Sequence, residues 1–334
     1  MLQFGVTESY QYSLSNITQY EIEYKDGSFY FPFGSVAGVM EYNGHTCEII
    51  RSKLTHMPNE LCYGNGIWLA AQVEKTANSS TDNCSIYRTD DETAKTGWVY
   101  TSPIQTNGRI TGLAFGNGIF VMTTGSYGRV LYSTNGSTWE LKTGIISSSF
   151  FVDVTFVNDR FYAIPYNNKD YIYHSIDGNA WDRTSISGIT GNPVRIGNLC
   201  GNVVILDTNR NAYLFNGAIS QLNIGISAMS LGGTNSSGCI TSGGELIAYT
   251  KDASLQDWIY YKCPESTAIN SVCCNENSII TVDTNSVYVI KIMDLPQTPS
   301  DAFINISKKL QYDDVGVINE LASMIRSGVE STLV

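Results

Sequence analysis

A hairpin turn built from Gly, Asn and Asp recurs along this chain at intervals of roughly 40 residues, and few folds accept that rhythm. It is read at Lys25-Asp26-Gly27, Gly64-Asn65-Gly66, Gly116-Asn117-Gly118, Asn158-Asp159, Gly201-Asn202, around Asn235 to Gly238, and at Asn275-Glu276-Asn277. Asn-Gly between alternating apolar runs is a strong hairpin signal, because both central residues of a type I′ turn need positive φ. The clearest unit, Ile110 to Thr143, breaks into four short strand-like pieces separated by such turns. Four antiparallel strands in about 40 residues is the size of one propeller blade. Seven turns therefore predict an all-β, seven-bladed β-propeller.

The second interval is long because the polar stretch at residues 73 to 85, VEKTANSSTDNCS, extends a hairpin. The sixth unit, LGGTNSSG, is almost pure turn chemistry, which leaves six blades as the alternative count. The last unit supplies only three strands, so residues 2 to 8 are expected to complete it and seal the ring. The propeller then occupies 1–294. Residues 295–334 read as a short helical tail: Thr298 caps, Pro299 opens the first turn, and Phe303, Ile306 and Leu310 recur at helical spacing. A second helix carries Ile318, Leu321 and Ile325 on one face. Such short helices must bury their apolar faces, on their own propeller or, on the sharper reading, as an assembly anchor.

A second motif marks the turn between third and fourth strands. Tyr132-Ser133-Thr134-Asn135-Gly136-Ser137-Thr138-Trp139 is echoed by His174-Ser175-Ile176-Asp177-Gly178-Asn179-Ala180-Trp181. Looser echoes run from Tyr87-Arg88-Thr89-Asp90 to Trp98 and from Tyr249-Thr250-Lys251-Asp252 to Trp258, so four of the five tryptophans hold one position of the repeat. The Ser hydroxyl and the Asp or Asn side chain bond backbone N–H groups, Gly accepts positive φ, and Trp packs across the blade. The set Ser133, Asn135, Gly136, Trp139, Ser175, Asp177, Gly178 and Trp181 is accordingly structural rather than catalytic.

On these residues the chain resembles the Asp-box (bacterial neuraminidase repeat, sialidase-like) propellers of bacteria and bacteriophages, over roughly residues 16 to 293, with two well-formed boxes at 133 to 139 and 175 to 181. The resemblance implies the propeller fold; enzymes, adhesins and assembly factors all use it. A sialidase would need an arginine cluster, a Tyr nucleophile with a Glu partner, and an acidic proton donor. Its Phe/Tyr-Arg-Ile/Leu-Pro signature is absent, Pro193-Val194-Arg195-Ile196 being a scrambled echo in another blade. No nucleophile elbow, phosphate loop or dinucleotide fingerprint occurs. The three histidines make no metal cluster with the eight cysteines, which read as reduced core thiols. No catalytic residue, metal or cofactor is expected.

A formal charge of −11 opposes attraction to nucleic acid or anionic lipid, and no apolar run reaches membrane-span length. The opening residues carry no signal-peptide pattern, so synthesis in the host cytoplasm is expected. Abundant Tyr (21 residues) with Asn, Ser and Gly in turns suits sugar or protein recognition; Tyr127, Tyr166, Tyr171 and Trp98 are candidate ligand contacts, each with blade packing as its plainer role. With the family resemblance, these features lead to the expectation of a non-enzymatic structural or adhesin component of a phage or phage-tail-like particle, at tail or baseplate. Its partners would be other virion proteins and a host-surface glycan or protein. A sialidase-like glycosidase and a soluble bacterial assembly factor are the alternatives.

Overall fold

The computed structural model describes residues 2–11, 22–33, 38–51, 54, 58–74, 83–104, 110–125, 128–147, 149–263, 268–283 and 286–294. The chain divides into two compact units, Val6–Lys291 and a smaller one made of Met1–Gly5 with Ile292–Val334. In the smaller unit the described residues are strand ends only. The tail residues Phe303, Ile306, Leu310, Ile318, Leu321 and Ile325 lie outside the described residues, as does Tyr127.

Seven four-stranded antiparallel sheets make a seven-bladed β-propeller. β1 (Leu2–Gln11) comes first in the chain. Blade 1 is β2 (Glu23–Lys25), β3 (Ser28–Phe33), β4 (Gly38–Tyr42) and β5 (Cys47–Arg51). Blade 2 is β6 (Glu60–Gly64), β7 (Ile67–Glu74), β8 (Asn83–Thr89) and β9 (Val99–Ile104). Blade 3 is β10 (Ile110–Gly116), β11 (Ile119–Thr124), β12 (Val130–Ser133) and β13 (Glu140–Lys142). Blade 4 is β14 (Phe151–Val157), β15 (Arg160–Pro165), β16 (Tyr171–Ser175) and β17 (Asp182–Ser185). Blade 5 is β18 (Pro193–Leu199), β19 (Asn202–Asp207), β20 (Ala212–Phe215) and β21 (Ile219–Gln221). Blade 6 is β22 (Ser230–Gly233), β23 (Gly238–Thr241), β24 (Leu246–Thr250) and β25 (Ile259–Lys262). Blade 7 is β26 (Ser271–Cys274), β27 (Ser278–Val282) and β28 (Ser286–Asp294), with β1 as its outermost strand. The ring is thus closed by the N-terminal strand, and blade 6 is complete, so the count is seven.

The first strand of each blade is innermost, and these strands adjoin in order from β2 to β26 and back to β2. Their hairpin turns carry the paired positive φ that a type I′ turn demands: Asp26 and Gly27 (50° and 90°), Asn65 and Gly66 (50° and 73°), Asn117 and Gly118 (50° and 77°), Asn158 and Asp159 (49° and 61°). In blade 5 the turn falls on Cys200 and Gly201, one residue earlier than the Gly201-Asn202 reading, and Asn202 opens β19. The turns also bridge blades: Asn117 Nδ2 donates to the Asp159 and Ile176 carbonyls, both at 3.1 Å, and Asn158 Nδ2 to the Gly201 carbonyl at 3.0 Å. Lys291 Nζ in blade 7 donates to Tyr42 Oη at 2.6 Å and to the Gly44 carbonyl of blade 1 at 3.1 Å.

The corner turns share one hydrogen-bond plan. Asn135 Oδ1 accepts from Ser137 and Thr138 N–H, each at 2.9 Å, while Ser133 Oγ accepts from Gly136 N–H at 2.9 Å. Asp177 Oδ1 accepts from Asn179 (2.9 Å) and Ala180 (2.8 Å). In the looser copies Asp91, not Asp90, plays this part with Thr93 and Thr96, and Asp252 does so with Ser254, Gln256 and Asp257. Each Trp indole donates to a carbonyl inside its own turn: Trp139 to Gly136, Trp181 to Gly178, Trp258 to Leu255 and Trp98 to Ala94. All four carbonyl residues have positive φ, including the non-glycines Ala94 (57°) and Leu255 (54°). These four indoles are only partly buried; the fully buried tryptophan is the fifth, Trp68, whose Nε1 donates to the Glu92 carbonyl at 2.9 Å.

A Cβ built on Gly178 would lie 2.7 Å from Val121 Cγ2 of blade 3 and 3.0 Å from Tyr132 Cβ, so the corner of blade 4 is keyed into its neighbour. Gly144, also at positive φ, has nothing within 4 Å. Gly178→Ala is expected to destabilise the protein by about 2 to 4 kcal/mol, combining φ strain with overpacking, against about 1 kcal/mol for Gly144→Ala, where strain acts alone. Urea unfolding of both variants checks this; equal losses would show that the corner is not keyed.

Candidate functional site

The axial channel, a cavity of about 520 Å³ lined by the innermost strands, gathers half-buried aromatic and charged side chains. Its wall follows from register. Two residues before the hairpin turn stand Tyr24, Tyr63, Phe115 and Phe156 in blades 1 to 4, and Asn198 in blade 5. Each of the four aromatics pairs across the hairpin with a buried aromatic: Tyr24 with Phe29, Tyr63 with Trp68, Phe115 with Phe120, Phe156 with Phe161. Ring centroids in these pairs lie 4.9, 5.0, 4.7 and 4.9 Å apart, the tilted contact that ring quadrupoles favour.

Successive rings fit because small residues precede them. A Cβ on Gly64 would sit 2.1 Å from the Phe115 ring, and one on Gly116 would sit 2.2 Å from the Phe156 ring. The aromatics therefore step around one half of the channel. Asn198, Thr234, Asn235 and Ser236 of blades 5 and 6 line the other half. The result is a cavity with an aromatic wall facing an amide and hydroxyl wall, a combination that suits ligand capture.

Charge enters at a second register position. Glu60 opposite Ala71, Gly112 opposite Thr123, Asp153 opposite Ile164 and Arg195 opposite Leu206 are equivalent in blades 2 to 5. In the last three, a β-bulge immediately precedes the position. Bulges re-aim side chains. Gly112 leaves the space that Asp153 uses, since a Cβ there would approach Asp153 Oδ1 to 2.6 Å. Asp153 Oδ2 lies 3.5 Å from Arg195 Nη1 and accepts from Ile196 N–H at 3.2 Å, while Oδ1 accepts from Val154 N–H at 2.8 Å. Glu60 is 6% exposed, and its Oε2 has no hydrogen-bond partner. Burial pushes the Asp153 carboxyl up to about 7; Arg195 and the two amides oppose this, and the nearby Glu60 charge adds to it. Burial likewise pushes Glu23 up to about 7, against a hydrogen bond from Tyr63 N–H.

The residues singled out from sequence lie elsewhere. Trp98 is a corner indole packed with the cluster around Tyr30, Leu61 and Trp68. Tyr166 stacks on Phe150 at 5.3 Å with planes 10° apart, and Tyr171 lies under the Arg183 guanidinium at 4.3 Å. Both belong to the β15–β16 turn region of blade 4, remote in register from the aromatic arc. The arc itself was available in the sequence as an aromatic two residues ahead of each turn, in EYKDG, CYGNG, AFGNG and TFVND. Among the described residues no three His, Cys, Asp or Glu side chains gather as a metal site. The seven described cysteines are buried.

Raised carboxyl pKa values set a sign for stability against pH. Glu23 binds its proton more tightly in the folded state, so its favourable contribution is full below about 4.5 and is lost as pH rises through about 7. Asp153 acts in the same direction. Hydrogen bonds from Thr93 and Ser254 side chains pull Asp91 and Asp252 down, so their contribution is lost instead in strong acid. Unfolding free energy should therefore decline from pH 5 to pH 8, and Glu23→Gln should shrink that decline by about 1 to 2 kcal/mol. Denaturant titrations at four pH values test it; parallel profiles for both proteins would refute the assignment.

No family model matches the chain, and no curated protein matches it. Solved structures do. Virginiamycin B lyase from Staphylococcus aureus aligns with a TM-score of 0.68 and 13% identity over 87% of this chain and 100% of that one. A catalytically inactive histidine-to-alanine form of the Staphylococcus aureus lyase with quinupristin gives 0.66 and 14% over 86% and 100%. YCF48 bound to D1 peptide gives 0.63 and 13% over 86% and 95%. At such identities the likeness is one of fold: the chain is a β-propeller, a fold that its solved neighbours use for an enzyme and for a peptide-bound protein alike.

Proposed function

We propose that this chain is a non-enzymatic binding propeller of the Asp-box type, serving as a structural or adhesin component of a phage or phage-tail-like particle. The observation that carries the binding reading is the divided axial channel, aromatic on blades 1 to 4 and amide-rich on blades 5 and 6. Aromatic faces and fixed amides give affinity at low entropic cost. The corner plan of Ser133, Asn135, Gly136 and Trp139 supports the Asp-box attribution, and the virion attribution rests on resemblance to the bacterial and phage forms of that repeat. Other virion proteins and a host-surface ligand are the proposed partners, and the virion the proposed location.

A lyase is the second reading, because an enzyme stands among the solved neighbours. The inactive form of that enzyme carries a histidine substitution. Here, among the described residues, no histidine lines the channel: His45 is exposed between β4 and β5, and His174 lies on β16 beside Arg160 and Thr184. A binding role accords better with that lining.

Purified particles from the source should contain the protein by mass spectrometry, and quinupristin or sialosides incubated with it should remain intact. Absence from particles would end the virion assignment. Turnover of either substrate would end the non-enzymatic one.

A further inference from the structure

We propose that the axial channel is a binding site for an organic cation, an ammonium or guanidinium group on an aliphatic stem. The proposal rests on the binding reading above and names the chemistry of the ligand. The aromatic arc of Tyr24, Tyr63, Phe115 and Phe156 lines the channel, and aromatic rings attract cations. The protein already uses one of them: Lys25 Nζ sits 4.1 Å from the Tyr63 ring centroid, held by the Glu92 carbonyl at 3.1 Å.

Charge points the same way. Glu23 and Asp153 line the channel, the Glu60 charge is felt at Asp153, and Arg195 is the cation paired with Asp153. Independently, Glu60 Oε2 is buried without a hydrogen-bond partner, at the register position that in blades 4 and 5 lines the channel through Asp153 and Arg195. A buried carboxylate oxygen left unpartnered is costly, and a donor supplied by a ligand removes that cost. Metal is the poorer occupant, since no three-ligand group forms among the described residues. An ammonium or guanidinium needs only acceptors and ring faces. The amide wall of Asn198 and Asn235 can hold the polar remainder of the ligand, whether a free amine or the backbone of a peptide whose Lys or Arg enters the channel.

The test is isothermal titration of the full-length protein with n-butylamine, agmatine, and blocked lysine and arginine amides, against blocked norleucine and citrulline amides as neutral isosteres. Cations are expected to bind at least about tenfold tighter than their isosteres, with affinity falling as salt rises. Tighter blocked amino acids than free amines would identify a peptide source; the reverse would identify a small amine. Glu23→Gln and Tyr63→Leu should each weaken binding about tenfold or more, whereas Tyr166→Ala should leave it unchanged. A bound cation favours the ionised form of Glu23, which Gln cannot take, and the melting curve of Glu23→Gln verifies that the variant is folded. Equal binding of isosteres and cations, or binding insensitive to both channel substitutions, overturns the proposal. Neutral ligands saturating the channel while cations do not would defeat the cation assignment alone; failure of every probe and of neutral glycans and peptides would defeat the channel-binding reading itself.

Discussion

Everything in this propeller hangs on how closely the innermost strands approach one another. Seven sheets can surround an axis only if each first strand tolerates the side chains of the next, and the chain meets this by placing glycine where a ring must pass. Gly64 under Phe115, Gly116 under Phe156 and Gly197 against Leu231 are the points of contact, each with less than 2.3 Å between an imagined Cβ and the neighbour. Close packing of this kind leaves no room for a methyl group. It also fixes which side chains reach the axis.

The channel chemistry follows from that spacing. Because each blade repeats one register, a residue type chosen at one position is multiplied around the ring, so aromatics two residues before the turn become an arc instead of a scatter. The second position shows the opposite strategy: Glu60, Gly112, Asp153 and Arg195 differ in every blade, which makes a single asymmetric charged locus. Repetition builds the wall, and departure from repetition builds the specificity. The Asp153–Arg195 pair is costly to desolvate, and the two backbone amides that donate to Asp153 offset that cost in part.

Much of the fold was legible because its turns obey local rules. Asn-Gly and Asp-Gly demand positive φ whatever surrounds them, and Ser133 or Asp177 bonds its own turn without help from other blades. Blade 6 was harder, since Thr234 to Ser237 form a longer hairpin connection whose composition signals a turn but not its register. Blade 5 shifted by one residue because Cys200, not Asn202, takes the left-handed conformation. The site was less legible for a different reason. Tyr and Phe before the turn look like ordinary strand residues, and only the curvature of the ring brings four of them to one axis. Asp153, with blade 3 between it and Glu60 in sequence, feels the Glu60 charge only after that curvature exists.

Blade 7 is assembled from both ends of the chain, β1 pairing with β28 across nearly the whole sequence. Loop closure of that span carries the largest entropic penalty of any contact in the fold, and non-local pairing slows folding. Local hairpins such as β10–β11 can nucleate early, whereas the latch between Leu2–Gln11 and Ser286–Asp294 must await the chain's other end. The axial channel has its full wall only when that latch turns a row of blades into a circle, so the site depends on the most non-local pairing in the fold.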